Sequence, residues 1–167
     1  MMNNLLKITT LWLYLALVAC ASLARQAPPL GASMAEVATA WGRPSASYRD
    51  GADTLLEYAT GPMGQSTYMA RMGADGRMRS FEQVLDSAHF ARIQVGKFDQ
   101  ADVLRTIGRP AEQSRVFLGD YEVWSYRYKE NGVWNSMMHV HFDRHGVVRM
   151  LMNGPDPMYD EERHFFW

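Results

Sequence analysis

The sequence predicts an α+β protein built as two tandem units, each a short helix laid on a small antiparallel sheet. Three observations carry that expectation. The phrase "EVATAWGRP" (Glu36–Pro44) returns as "DVLRTIGRP" (Asp102–Pro110), with Gly42 and Gly108 66 positions apart. Each phrase has a helix-starting residue before it and a glycine-then-proline stop inside it. Each is followed by runs of alternating apolar and polar residues broken at glycine, the pattern of half-buried strands joined by turns.

The helices come first. Ser33 and Glu36 form a capping box, in which the hydroxyl accepts from the third helical N–H and the carboxylate reaches back. Met34, Val37, Ala38 and Trp41 then fall on one helical face. Gly42 suits the left-handed residue that ends a helix, and Pro44 prevents resumption. In the second phrase Asp99 caps, Asp102 takes the third position, and Val103, Leu104 and Ile107 form the stripe. Helices of two to three turns are marginal alone and need a partner layer.

That layer follows in both halves. "TLLEYAT" after Gly51 matches "EVWSYRYK" after Gly119, "QSTYMARM" matches "NSMMHVHF", and "MRSFEQV" matches "VVRMLM". Gly76 and Gly146 mark hairpin turns. The offset grows from 66 to 68 to 70, as small insertions in a duplicated unit would make it. Between the halves, "LDSAHFARIQVG" predicts a short helix capped by Asp86 or Ser87, with Phe90 and Ile93 on its apolar side. The second unit thus reads helix, helix, strands; in the first the opening helix is reduced or absent.

Residues before Ser33 are of another kind. Ile8–Ala19 is apolar but too short for about 30 Å of hydrocarbon, so residues 1–19 read as a secretory signal. It ends in "LVAC", and Cys20 is the only cysteine in the chain. This resembles the bacterial lipoprotein box and implies lipid on Cys20; Ala21, where an aspartate would favour inner-membrane retention, points to the outer membrane. Residues 20–32, with two prolines and no periodicity, read as the lipidated end and tether. The first unit is expected over 33–85, the second over 86–157, and a tail over 158–167.

The residues "GASMAEVATAWGRP", "LEYATGP", "VLDSAHFARIQVGKFDQADVLRTIGRP", "VWSYRY" and "GPDP" resemble the SmpA/OmlA (BamE) superfamily of outer-membrane lipoproteins. The duplicated unit is similar to the β-lactamase-inhibitor-protein (BLIP-like) fold. The resemblance implies a helix pair on three or four antiparallel strands in each unit. It also implies a periplasm-facing lipoprotein with a protein partner, barrel-assembly machinery components among the possibilities, in outer-membrane protein assembly or envelope integrity. The alternative it implies is an inhibitor or binder of a hydrolase such as a β-lactamase or lysozyme-like enzyme. It brings no catalytic residues.

Composition and motifs bound the function. A formal net charge of −1 supplies no basic field for nucleic acid. No glycine-rich phosphate loop occurs, and the single cysteine is the expected lipid site, so the expectation is a non-enzyme without cofactor. His139 and His141 share a strand parity, a pair zinc could use with a third ligand; the matching positions in the first unit, Met69 and Arg71, argue against a metal. Tyr68, Ala70 and Met72, and Met138, Val140 and Phe142, are assigned to the helix-facing parity, as are Trp124, Tyr126 and Tyr128. The other parity carries Glu57, Met69, Arg71, Ser125, Arg127, His139 and His141, read as a solvated face or a recognition surface. Trp134, in "ENGVWN", is a candidate partner anchor.

Overall fold

The computed structural model describes residues 25–159; the signal, Cys20 and the end of the tail lie outside the described residues. Helix α1 (Met34–Trp41) is followed by β1 (Ala46–Asp50), β2 (Asp53–Ala59), β3 (Thr67–Met72) and β4 (Met78–Gln83). Then come α2 (Ser87–Phe90), α3 (Gln100–Ile107), β5 (Glu112–Val116), β6 (Tyr121–Glu130), β7 (Trp134–Phe142) and β8 (Val148–Pro155). The strands make two four-stranded antiparallel sheets, β1-β2-β3-β4 and β5-β6-β7-β8. The protein is α+β with few helices. One helix precedes the first sheet and two precede the second, so a helix pair belongs to the second unit only.

Both predicted helix starts form as capping boxes, Ser33 with Glu36 and Asp99 with Asp102. Asp86, not Ser87, caps α2 through the His89 N–H. The stops are tighter than a left-handed cap. Gly42 has φ 82° and ψ −159°, and Gly108 has φ 78° and ψ −162°. That region of backbone space is open essentially to glycine alone, whereas asparagine and aspartate tolerate a left-handed residue.

The duplication extends to hydrogen bonds. Met78 N–H donates to Ala32 C=O at 2.8 Å, and Val148 N–H donates to Phe98 C=O at 2.9 Å. Ser45 N–H reaches Glu57 C=O at 2.8 Å, and Ala111 N–H reaches Ser125 C=O at 2.9 Å. Irregularities fall between Arg71 and Met72 in β3 and between His141 and Phe142 in β7, 70 positions apart. A bulge inserts one residue and sharpens the local twist, so both sheets bend at the same place.

Two helix-on-sheet cores result. In the first, Val37 and Trp41 of α1 pack on Leu56, Tyr58, Ala70, Met72 and Met78. Trp41 sits 4.7 Å from both Tyr68 and Phe81, centroid to centroid. In the second, Val103 and Ile107 of α3 and Phe90 of α2 pack on Trp124, Tyr126, Tyr128, Val140, Phe142 and Val148. Met34 and Ala38 are exposed, so the α1 stripe is narrower than the spacing predicts. Both helix-facing strand parities are as expected.

The units are stacked. The back of the first sheet, with Leu55, Met69 and Val84, faces α2 and α3 of the second unit across a cleft of about 350 Å³. The layers therefore run α1, first sheet, α2 and α3, second sheet. This stacking corrects the expectation that Glu57 and Met69 lie on a free face: each is buried between the units. Strand parity reports which side of a sheet a residue occupies, not what covers that side.

The β7–β8 turn carries a test of its own. Asp143 accepts from the N–H groups of His145 (2.8 Å) and Val147 (3.1 Å) and from Arg149 Nε (2.7 Å). The Val147 amide and then the Arg149 guanidinium hold its carboxyl down from 3.8 to about 2. A depressed carboxylate stabilises the fold above its unfolded pKa and ceases to do so as pH falls through the folded value. Urea midpoints are therefore expected to drop between about pH 4 and about pH 2, and to drop less steeply in Asp143→Asn. An unchanged slope in that variant would contradict this assignment.

Candidate functional site

The first place where chemistry concentrates is the seam between the units. Glu57 is 0% exposed, yet its carboxylate is fully engaged. Tyr48 OH donates to Oε2 at 2.5 Å, Ser45 Oγ to Oε1 at 3.1 Å, and the Arg109 backbone N–H to Oε2 at 3.1 Å. Burial, and then the neighbouring carboxylate, push the Tyr48 phenol far above its ordinary range, so it remains a donor. On the other side of the same turn, Tyr126 OH donates to Gly108 C=O at 3.1 Å. The glycine–arginine–proline turn of the second unit is thus held between the two sheets. By the repeat, Ser45, Tyr48 and Glu57 correspond to Ala111, Ser114 and Ser125.

The 350 Å³ cleft beside that seam has a charged lining, much of it paired. Arg71 meets Asp50 at 2.8 Å and Asp53 at 3.2 Å, and Arg105 meets Asp102 at 2.6 Å. His89 lies between Asp86 (2.8 Å) and Glu82 (3.3 Å). Of these contacts, His89–Glu82 joins the first sheet to α2, and the others lie within one sheet or one helix. Arg71, a predicted recognition residue, is half-buried at this cleft.

The second sheet has the face left over. It carries Val123, Ser125 and Arg127 of β6, Met137, His139 and His141 of β7, and Met150 and Met152 of β8, paired by register. Val116, Met150 and Met152 are exposed at its edges, whereas Val123, Ser125, Arg127, Met137 and His141 in its middle are buried. Arg127 does not reach into solvent. Its Nη1 donates to Asp156 Oδ1, which is buried, and its Nη2 to Glu112 Oε1 at the exposed sheet edge. His139 Nδ1 lies 2.8 Å from Ser125 Oγ. Burial, and then the charge of His141, hold its pKa below the ordinary 6.5, so it is neutral at neutral pH. His141 is buried with its ring edge-on to Tyr121 at 6.0 Å. Among the described residues no three His, Cys, Asp or Glu side chains are grouped to hold a metal.

The two ends of the sheets expose apolar side chains. At the β5–β6 turn, Phe117 and Leu118 are 92% and 91% exposed. The turn beneath them is fixed: Asp120 N–H donates to Phe117 C=O at 3.2 Å, and Arg115 Nη2 meets Asp120 at 2.8 Å. At the opposite end stands Trp134, 68% exposed at the start of β7. Of the seven predicted partner residues, Trp134 alone is strongly exposed. Phe117 and Leu118 escaped sequence reasoning, although two adjacent large apolar residues beside Gly119 in a hairpin turn are a readable signal.

No model of a known protein family matches this chain, and no curated protein matches it. It is similar to the crystal structure of a DUF4309 family protein (YjgB) from Bacillus subtilis at 2.13 Å resolution. The identity is 14%, over 73% of this chain and 76% of that one, with a TM-score of 0.30. Likeness at that level carries no functional argument. Among the described residues no helix is long and apolar enough to cross a membrane.

Proposed function

We propose that this protein is a non-catalytic outer-membrane lipoprotein, anchored through Cys20, that works as a protein-interaction module in envelope assembly or integrity. In this reading its tandem units are of the SmpA/OmlA (BamE) and BLIP-like kind. The observation that supports it is the solvent-projecting Phe117–Leu118 turn at the end of the second sheet. A pair of apolar side chains held at over 90% exposure costs solubility and is a feature of surfaces that bind.

A photo-crosslinking residue placed at Phe117 in the intact envelope is expected to capture a barrel-assembly component, and one placed at Arg49 on the first sheet's edge is not. Recovery of no such component from Phe117 counts against the assembly role. The same projecting turn favours a second reading, insertion into a hydrolase cleft. That reading expects stoichiometric inhibition by the purified chain, abolished by Phe117→Ser with Leu118→Ser. A panel of β-lactamases and lysozyme-like enzymes left uninhibited discards it.

A further inference from the structure

The lipidated-anchor reading gives one end of the molecule a second surface, and the inference here rests on that reading. The β2–β3 loop and the start of β7 meet at a hydrogen bond from Gln65 Nε2 to Asn135 Oδ1, 2.9 Å long. Asp156 N–H donates to Asn135 C=O at 3.0 Å and brings the end of β8 to the same place. Four large apolar side chains are exposed around that junction: Met63 of the β2–β3 loop, Val133 and Trp134 of the β6–β7 hairpin, and Tyr159 beyond β8. They come from three chain segments far apart in sequence, so their convergence is a property of the fold.

Both ends of the described chain leave from this side. Helix α1 runs toward it and finishes at Trp41, which lies 4.7 Å from Tyr68, one residue from the loop end of β3. The Trp41 indole N–H donates to Gln26 C=O at 3.0 Å, and the Arg25 guanidinium lies 5.7 Å from the Trp41 ring. Tyr159 closes the described chain at the other terminus. Five peptide steps join Cys20 to Arg25. At about 3.3–3.6 Å per residue fully extended, they let the fold stand no more than about 18 Å from the lipidated residue. The Phe117–Leu118 turn is at the far end of the second sheet, since it precedes β6 and the Trp134 hairpin follows it.

We propose that Met63, Val133, Trp134 and Tyr159 form a membrane-contacting rim that seats in the bilayer interface and holds the long axis of the sheets upright, pointing the Phe117–Leu118 turn away from the lipid. The chemistry fits that occupant. Tryptophan and tyrosine favour the headgroup level, with an apolar ring and a polar atom each, and methionine and valine add apolar area. A single acyl-type anchor fixes distance but not orientation; a rim of interfacial side chains beside it fixes both.

The test uses the full chain made in a bacterium that acylates lipoproteins, carrying Trp167→Phe to remove one fluorophore. The protein is placed in phosphatidylethanolamine–phosphatidylglycerol vesicles with acyl chains brominated near the headgroup, and the mass of the mature amino terminus is read beforehand. Trp134 emission is expected to shift to the blue and to be quenched, and that component should vanish in Trp134→Ser, where the exposed position leaves folding intact. Moving the probe, with Trp134→Phe and Phe117→Trp, is expected to leave the new tryptophan unquenched. Acylated protein whose Trp134 is not quenched, or whose Phe117→Trp probe is quenched equally, overturns the rim. An amino terminus without acyl mass overturns the anchoring reading instead. In that case coupling the free Cys20 thiol to a maleimide lipid restores the tether, and the same quenching measurement decides the rim by itself.

Discussion

Gly108→Ala is expected to destabilise the protein by about 3–5 kcal/mol, and Gly42→Ala, its counterpart in the repeat, by only about 1–3 kcal/mol. The backbone cost is common to both, because their φ and ψ values agree within a few degrees. What differs is the surroundings. A Cβ on Gly42 would meet nothing within 4 Å. On Gly108 it would lie 2.9 Å from Glu57 Oε2, 3.0 Å from Glu57 Cδ and 3.1 Å from Thr67 Cγ2. A carboxylate end could ordinarily swing away. Here Tyr48, Ser45 and the Arg109 amide hold it, and moving it strands a buried charge without its donors. Urea unfolding of both variants gives the comparison; equal losses would mean that the second turn is not seated on Glu57.

Arg127→Met should cost about 3–5 kcal/mol, the usual penalty for removing one partner of a buried ion pair. Asp156, whose side chain is 0% exposed, loses the guanidinium it pairs with. Combining Arg127→Met with Asp156→Asn is expected to recover most of that loss, because no uncompensated charge remains and the methionine fills much of the same volume. A double variant as unstable as the single one would show that the arginine stem, not its charge, holds the sheet. The pair also ties the end of β8 to β6.

Much of the fold is legible in the sequence because local chemistry decides it. Ser33 and Asp99 sit where a capping box must begin, Gly42 and Gly108 where a chain must turn through positive φ, and the apolar parity of β3 and β7 where a helix must lie. Edge strands are harder. Every residue of β5 is exposed, so no alternation marks it, and β1 is polar on one side and seam-facing on the other. The stacking of the units is not legible at all. Glu57 looks like a solvent-facing strand carboxylate until the Arg109 amide arrives from 52 residues away. Arg127 likewise looks like a surface cation, and its partners Glu112 and Asp156 come from two other strands' ends. The candidate surface is legible only in Trp134; Phe117 and Leu118 declare themselves once the turn beneath them is seen to be fixed.

The two units form one body, joined at Glu57 and the Gly108 turn. Native-state hydrogen exchange of the full chain in rising urea tests that directly, by following peptides from β2–β3 and from β6–β7. The interlocked arrangement predicts that both sheets lose protection at the same urea concentration and that Glu57→Gln lowers both together. Separate losses, with β6–β7 unmoved by the change at Glu57, would contradict it.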